Sequence, residues 1–292
     1  MILITGAAGK TGRAVVSALV ARKQAVRALV HRDEQVQILK SLGAQEAAVG
    51  DMRDEGTLNR AARRARAVYH ICPNVSPDEL RIGKAMIAAA QDARIEHFVF
   101  HSVLHPQTET MTHHWNKLLV EEALLDSNMP YTILQPASYM QNLLAGWQSI
   151  VERGVYAVPY SVESRMSMVD LGDVAEAAAV VMTESGHVGS TYELAGPEVL
   201  THTQIAEILA AQLEHPVRAK QVSIQAWTRK AQALGMGTYQ IETLVKMFRY
   251  YNRHGLWGNP RVLAYLIGRA PTRFQTFVER TIRERIHPQR IS

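Results

Sequence analysis

The chain has 292 residues, of which 47% are hydrophobic and 20% are charged, and its formal net charge is +5. This composition is ordinary for a folded globular protein and excludes a disordered chain. The 32 basic residues are scattered along the sequence, so we expect an attraction for anionic ligands and no nucleic-acid partner.

The cysteine content and the hydropathy of the sequence indicate the cellular compartment of the protein. Cys72 is the single cysteine, which excludes an internal disulfide, and it lies in an apolar run where a buried thiol is expected. No apolar run reaches the about 18 residues of a membrane-spanning helix, and the first residues lack the pattern of a signal peptide. We therefore expect a cytoplasmic protein without a membrane partner, and we predict no metal site.

The first predicted elements are a strand, a tight turn and a helix. Ile2–Ile4 is an apolar run typical of a buried parallel strand, and Gly6, Gly9 and Gly12 follow at intervals of three. Gly6 suits a tight turn, Gly9 lets main-chain N–H groups approach a pyrophosphate, and Gly12 allows close helix packing. The spacing differs from G-x-G-x-x-G and is weak evidence alone, but its strand-turn-helix context favours a dinucleotide over an empty turn.

A second strand is predicted at Ala25–Val30, and it ends at His31 and Arg32. An acidic residue in this region would select NAD, whereas a basic one accommodates the 2′-phosphate of NADP. Arg32, with Lys10 from the glycine turn, therefore favours NADP(H), and NAD(H) remains the alternative. The other interpretation of Arg32 is a plain surface charge.

Further strands follow in alternation with helices. Predicted strands lie at Ala47–Val49, Ala67–Cys72, His97–Ser102 and Tyr131–Leu134, and predicted helices at Glu34–Leu39, Glu55–Ala65, Asp78–Ala93 and His113–Leu125. This alternation predicts an α/β protein with a doubly wound parallel sheet. Ligands bind at the carboxyl ends of such strands, so Asp51 and Met52 are candidates to line an adenine, with Asp51 as a simple turn residue the alternative.

The alternation loosens after Gly154. Short strands are predicted around Tyr156, Met166–Val169 and Tyr192–Leu194, a helix at Asp173–Met182, a capping box at Thr201 and Gln204, and two or three helices beyond Ile224. We predict a nucleotide-binding domain at residues 1–153, with segments near 166–182 and 191–195 packing on it. Residues 154–292 would form a smaller, mostly helical substrate or cap region.

Several motifs, in one order along the chain, resemble the NmrA-like group of atypical short-chain dehydrogenases/reductases. They are G-A-A-G-K-T-G, V-H-R, G-D-M-R-D, H-S-V, H-H-W-N-K-L-L-V-E-E, Y-T-I-L-Q-P-A-S-Y-M-Q-N, M-V-D-L-G-D-V-A and Y-E-L-A-G-P. The resemblance covers most of the chain and is weakest after about Gln225. It implies a Rossmann domain that binds NAD(P). The family includes quinone reductases and also nucleotide sensors that regulate partner proteins.

The resemblance also implies roles for individual residues. Short-chain reductases use a tyrosine four residues before a lysine, and a serine at the preceding strand end. Ser102 and Lys117 match, with Lys117 on the nicotinamide ribose, but His113 stands where the tyrosine would be. His113 and Tyr139 are the candidate proton donors, and a polar surface role is the alternative for His113. The predicted cofactor-binding residues are Gly6, Ala8, Gly9, Lys10, Thr11, Gly12, His31, Arg32, Asp51, Met52, Cys72, Pro73, Lys117, Pro136 and Ser138.

A quinone acceptor reduces the need for a proton donor, because its reduced anion can be protonated by water. We therefore expect an NADPH-dependent oxidoreductase that transfers a hydride to a small quinone-like or conjugated carbonyl acceptor. The alternative is an NAD(P)-sensing regulatory protein without catalysis. Arg32 and His113 argue against an epimerase or lyase that retains NAD. A homodimer or a regulatory protein partner stays open.

Overall fold

The computed structural model describes residues 1–285, which form two compact units. The first unit comprises Met1–Pro136 and Val174–Glu193. The second comprises Ala137–Asp173 and the described residues from Leu194 onward. Residues 286–292 of the predicted cap region lie outside the described residues.

The elements follow one another in close agreement with the predicted alternation. The strands are β1 (Ile2–Ile4), β2 (Val26–Val30), β3 (Glu46–Val49), β4 (Ala67–His70), β5 (His97–His101), β6 (Tyr131–Pro136), β7 (Val155–Val158), β8 (Ser190–Leu194) and β9 (Arg218–Gln221). The helices are α1 (Lys10–Ala21), α2 (Glu34–Ser41), α3 (Glu55–Ala62), α4 (Glu79–Asp92), α5 (Thr112–Asp126), α6 (Trp147–Arg153), α7 (Leu171–Thr183), α8 (His202–Leu213), α9 (Ile224–Ala233), α10 (Thr238–His254), α11 (Arg261–Ile267) and α12 (Phe274–Arg285).

The first unit is built on a seven-stranded sheet in the order β3-β2-β1-β4-β5-β6-β8. The pairings from β3 through to β6 are all parallel. The predicted doubly wound parallel fold is therefore confirmed. The strand order reverses between β1 and β4, and a ligand crevice is expected at the carboxyl ends of these two strands.

Apolar strands and small helix residues make the core of this sheet. Leu3, Val68 and Phe98 are fully buried in one cluster, together with residues of α3, α4 and α5. A Cβ on Gly83 of α4 would lie 2.7 Å from the side chain of Val120 on α5, so these two helices pack very closely. The two helices that carry the polar cluster described below therefore lie side by side.

The second unit contains a small parallel pair, β7 with β9, and several helices. The capping box of Thr201 and Gln204 opens α8 as predicted. The predicted strand at Met166–Val169 is instead a set of isolated bridges, in which Met166 pairs with Leu200 and Leu256. Four helices follow Ser223 within residues 1–285, where two or three were predicted. None of the helices formed by these residues combines the length and hydropathy required to span a bilayer.

The unit boundary lies earlier than the boundary proposed from the sequence. Residues 137–153 group with the second unit, because Met140 N–H donates to the Val169 carbonyl at 2.9 Å and Gln141 bonds Asp170 at 2.9 Å. Conversely, most of α7 returns to the first unit. That one unit binds the nucleotide and the other serves as a cap remains a prediction.

Candidate functional site

The glycine turn between β1 and α1 has three positions with different steric demands. Gly6 has a φ of +60°, and a Cβ there would lie 2.7 Å from the Ile71 carbonyl oxygen. A Cβ on Gly12 would lie 2.4 Å from the Gly6 carbonyl oxygen, so both positions exclude a side chain. A Cβ on Gly9 would approach one atom, the Gly6 carbonyl oxygen at 3.4 Å. The protein's own packing therefore does not require glycine at position 9, where a ligand would gain from the missing side chain.

The start of α1 is suited to an anion. Gly9 is the N-cap residue and cannot supply a capping side chain, and the first turn contains no acidic residue. The first N–H groups and the positive end of the helix dipole are therefore left without a carboxylate. Arg13, which was not predicted, donates from Nε to the Ala8 carbonyl at 2.7 Å and adds a cation to Lys10. Partial burial lowers the pKa of Lys10. These features fit a pyrophosphate.

Thr5 joins β1 to β4 at the point where the strand order reverses. Its buried hydroxyl accepts the Ile71 N–H at 2.9 Å and lies 2.8 Å from Nδ1 of His70. The chain then leads into Cys72 and Pro73. Burial, reinforced by the charge of Glu79, raises the pKa of the Cys72 thiol, which makes it an unreactive side chain.

The end of β2 carries an unpaired cation. The Gln35 side chain accepts the N–H groups of His31 and Arg32, both at 3.1 Å, and so fixes the turn. Among residues 1–285 the Arg32 guanidinium makes no hydrogen bond or ion pair, and the residue is exposed. It is available to a phosphate, and its contact with the 2′-phosphate of NADP remains a prediction.

Asp51 is already engaged by a neighbouring arginine. Arg53 donates from Nε to Asp51 Oδ1 at 3.1 Å and from Nη2 to Oδ2 at 2.7 Å, and it lowers the pKa of Asp51 to about 2. His31 Nε2 lies 3.7 Å from the same carboxylate. Because Arg53 offsets this charge, the region around Arg32 stays basic. Met52 packs partly buried against the core cluster of the first unit, and the adenine contacts of Asp51 and Met52 remain predictions.

The predicted catalytic residues of the first unit lie in a buried polar cluster organised by two carboxylates. Lys117 Nζ donates to Glu79 Oε1 at 2.9 Å and to the His101 carbonyl at 3.1 Å. The hydroxyl of Ser102 donates to Glu121. Gln135 Nε2 donates to both oxygens of that carboxylate at 3.0 Å. Their main partners are therefore Glu79 and Glu121, neither of which was predicted.

His113 has a different protonation state from the one expected of it. Its Nδ1 lies 4.0 Å from Glu79 Oε2, and its side chain is 12% exposed. Burial, followed by the charges of Lys117 and His114, lowers its pKa well below the ordinary value. The imidazole is therefore neutral near pH 7, where a general acid was expected to be partly protonated. A neutral imidazole still donates an N–H hydrogen bond.

Two predicted residues belong to the second unit. Ser138 Oγ accepts from Asn142 Nδ2 at 3.2 Å, and the Ser138 carbonyl accepts the Val169 N–H at 2.9 Å. Tyr139 forms an isolated bridge with Val169. Pro136 ends β6 in the first unit. The cofactor role of Ser138 and the donor role of Tyr139 stay predictions.

Comparison with known proteins places these features in a family context. The sequence profile of the NmrA-like family matches residues 1–285. The NAD(P)H azoreductase of Xenophilus azovorans is 32% identical over 81% of this chain and 82% of its own. Quinone oxidoreductase 2 of Escherichia coli is 28% identical over 93% of this chain and 95% of its own. An NADPH-dependent quinone oxidoreductase from Escherichia coli, solved in complex with NADPH, matches with a TM-score of 0.85 and 27% identity, over 97% of this chain and 100% of that chain.

Proposed function

Because this chain belongs to the NmrA-like family, we propose that it is an NADPH-dependent oxidoreductase. Its acceptor is a small quinone-like or conjugated carbonyl compound. The observation that carries the proposal is the glycine turn. A side chain at Gly6 or Gly12 would clash with the protein's own backbone, whereas a Cβ at Gly9 would not, so the glycine at position 9 leaves space for a ligand. The azoreductase and the quinone oxidoreductase named above support the same reaction class.

NADP(H) is the proposed cofactor in preference to NAD(H). Arg32 is exposed and unpaired among the described residues, and Arg53 neutralises the nearby carboxylate of Asp51. A 2′-phosphate would thus meet the cation of Arg32, while the charge of Asp51 is already offset by Arg53. The NADPH bound in the Escherichia coli structure is in agreement with this choice.

The residues of this chain would bind and orient the cofactor. NADPH supplies the hydride when bound. The N-terminus of α1, Lys10 and Arg13 would hold the pyrophosphate, and Arg32 the 2′-phosphate. Lys117 of α5, whose ammonium donates to the carbonyl of His101 at the carboxyl end of β5, would lie beside the nicotinamide end of the cofactor, where the acceptor binds.

The test is cofactor binding followed by turnover in the same preparation. We expect calorimetry to give tighter binding of NADPH than of NADH. We then expect NADPH absorbance at its near-ultraviolet maximum to decay on addition of a small quinone panel. Equal affinities for the two cofactors would contradict the assignment of Arg32, and turnover of no acceptor would contradict the reductase function.

Binding without turnover would support the second candidate, an NAD(P)-sensing regulatory protein. One observation favours it: His113 replaces the usual tyrosine, and burial keeps this imidazole neutral. Such a protein needs a regulatory partner, which affinity capture in the presence and absence of NADPH would detect.

We also propose a cytoplasmic location, supported by the single, buried and unpaired cysteine. The choice between a monomer and a homodimer is testable by light scattering.

A further inference from the structure

A buried carboxylate stands beside Lys117 in the polar cluster of the first unit. Glu79 lies in the first turn of α4, where its side chain is 1% exposed, and the Lys117 side chain is 8% exposed. Glu79 Oε1 accepts the Lys117 ammonium at 2.9 Å, and Oε2 lies 4.0 Å from His113 Nδ1. The cofactor-binding residues of the proposed function do not use this carboxylate.

Stability alone does not explain a buried pair of this kind. Desolvation of two charges offsets much of their attraction, so well-packed apolar residues would stabilise the fold about as well. Buried charge pairs also occur at functional sites, where they hold a charged group in place. An ammonium has three N–H donors, and within residues 1–285 Lys117 uses two, on Glu79 and on the His101 carbonyl. The third makes no hydrogen bond to these residues, and the centroid of the Phe100 ring lies 5.2 Å from Nζ.

We propose that Glu79 is the positioning residue of this site, whose carboxylate is the counter-ion of the Lys117 ammonium and directs its third N–H toward the acceptor. The inference rests on the proposed reductase function. It also gives the chain a proton source in the absence of the tyrosine that His113 replaces.

The proton step balances with the proposed reaction. Hydride transfer to a quinone leaves a hydroquinone anion, and a Lys117 N–H bond breaks as the O–H bond of the hydroquinone forms. The amine then recovers a proton from water, so acceptor, NADPH and one proton give hydroquinone and NADP⁺.

The other groups around Lys117 do not replace Glu79 as its counter-ion. They are His70 and Cys72 from β4 and its end, His101 from β5, and His113, His114 and Glu121 from α5. Burial lowers the pKa of His70 and of His101 to about 3, and so keeps both neutral at pH 7. Glu121 is bonded to Ser102 and Gln135 instead. Glu79 is thus the anion in direct contact with Lys117.

The test is Glu79→Gln, which keeps the shape of the side chain and removes its charge. We expect kcat to fall at least tenfold, with KM for the quinone changed less than twofold. The alkaline limb of the pH profile should move to lower pH, because an uncompensated buried ammonium loses its proton more readily. In protein with ¹³Cε-labelled lysine, the Lys117 signal, assigned with Lys117→Met, should titrate at lower pH in Glu79→Gln than in wild type.

Two further variants separate positioning from a merely structural role. Asp173→Asn neutralises a buried carboxylate of the second unit, paired with Arg269 at 2.7 Å, and should leave kcat and the Lys117 signal unchanged. In a Lys117→Met background, Glu79→Gln should have no further effect on kcat. An unchanged Lys117 titration, or an additive loss in the double variant, would overturn the inference. A shifted Lys117 titration in a protein that reduces no acceptor would support the positioning role of Glu79 and refute the reductase function.

Discussion

Arg32 is the residue whose side chain distinguishes the two cofactors. Arg32→Ala should weaken NADPH binding at least tenfold and leave NADH binding nearly unchanged, because it removes a charge-assisted contact that only the 2′-phosphate makes. Isothermal titration of both cofactors measures the difference. Lys84→Ala, an exposed cation on α4, is the matched control and should change neither affinity. A similar loss for NADH and NADPH in Arg32→Ala would refute the assignment.

Single residues differ in how well their surroundings could be predicted. The pairing of Lys117 was not predictable, because Glu79 follows Asp78 at a helix start, where acidic residues usually face solvent. Glu121 lies four residues after Lys117, a spacing that more often marks a surface ion pair than a buried carboxylate. Only tertiary packing turns both side chains inward. The expectation that His113 has an ordinary pKa was wrong for the same reason, because local sequence does not show that its side chain is buried.

The strand, turn and helix at the start of the chain act as one element. Gly9→Ala should fold with a Tm close to that of wild type, because its Cβ fits at 3.4 Å from the nearest atom and its backbone φ of −69° suits alanine. It should nevertheless weaken NADPH binding at least tenfold, since the methyl group occupies the approach of the pyrophosphate.

Gly12→Ala is the matched variant of the same element. Its Cβ would lie 2.4 Å from the Gly6 carbonyl oxygen, so α1 must move away from the turn. We expect a clearly lower Tm in calorimetry together with lost NADPH binding, at a cost of about 1–3 kcal/mol typical of overpacking. Equal Tm values for Gly9→Ala and Gly12→Ala would show that the two glycines do not have these separate roles.

Elements with a strong apolar pattern were predictable, and those held by their neighbours were not. β1 was predicted to the residue, and β2 to β6 within one or two residues, because buried parallel strands are short apolar runs. β9 has the sequence R-A-K-Q and no apolar alternation, so only its backbone pairing with β7 makes it a strand. Met166–Val169 has the pattern of a strand but finds only isolated partners.

At the scale of the whole molecule, several buried imidazoles make stability depend on pH. Burial lowers the pKa of His70 and His101 to about 3, and of His114 and His202 to about 4. In the unfolded chain each would titrate near about 6.5. Their neutral forms therefore stabilise the fold fully above that pH, and the contribution is lost as the pH falls from about 6.5 toward the folded values.

The free energy of unfolding should thus decrease by about 1.4 kcal/mol per pH unit for each of these histidines in that window. Urea unfolding at pH 7, 6 and 5 measures the slope. His70→Gln should reduce the dependence of the unfolding free energy on pH by the contribution of one histidine. His254→Gln, at the exposed end of α10, should leave that dependence unchanged. A free energy of unfolding that is the same at pH 5 and pH 7 would contradict the prediction.

The chain enters the second unit after Pro136, returns at Val174 and leaves the first unit again after Glu193. β8 lies beside β6 at one edge of the seven-stranded sheet. It is therefore synthesised well after β6, whose edge it pairs with. At about 5–20 residues per second, a ribosome leaves the edge of β6 open for several seconds. An exposed strand edge invites pairing with another chain. Recombinant yield should thus depend on translation speed through residues 137–194, and a fragment cut after Pro136 would retain that open edge.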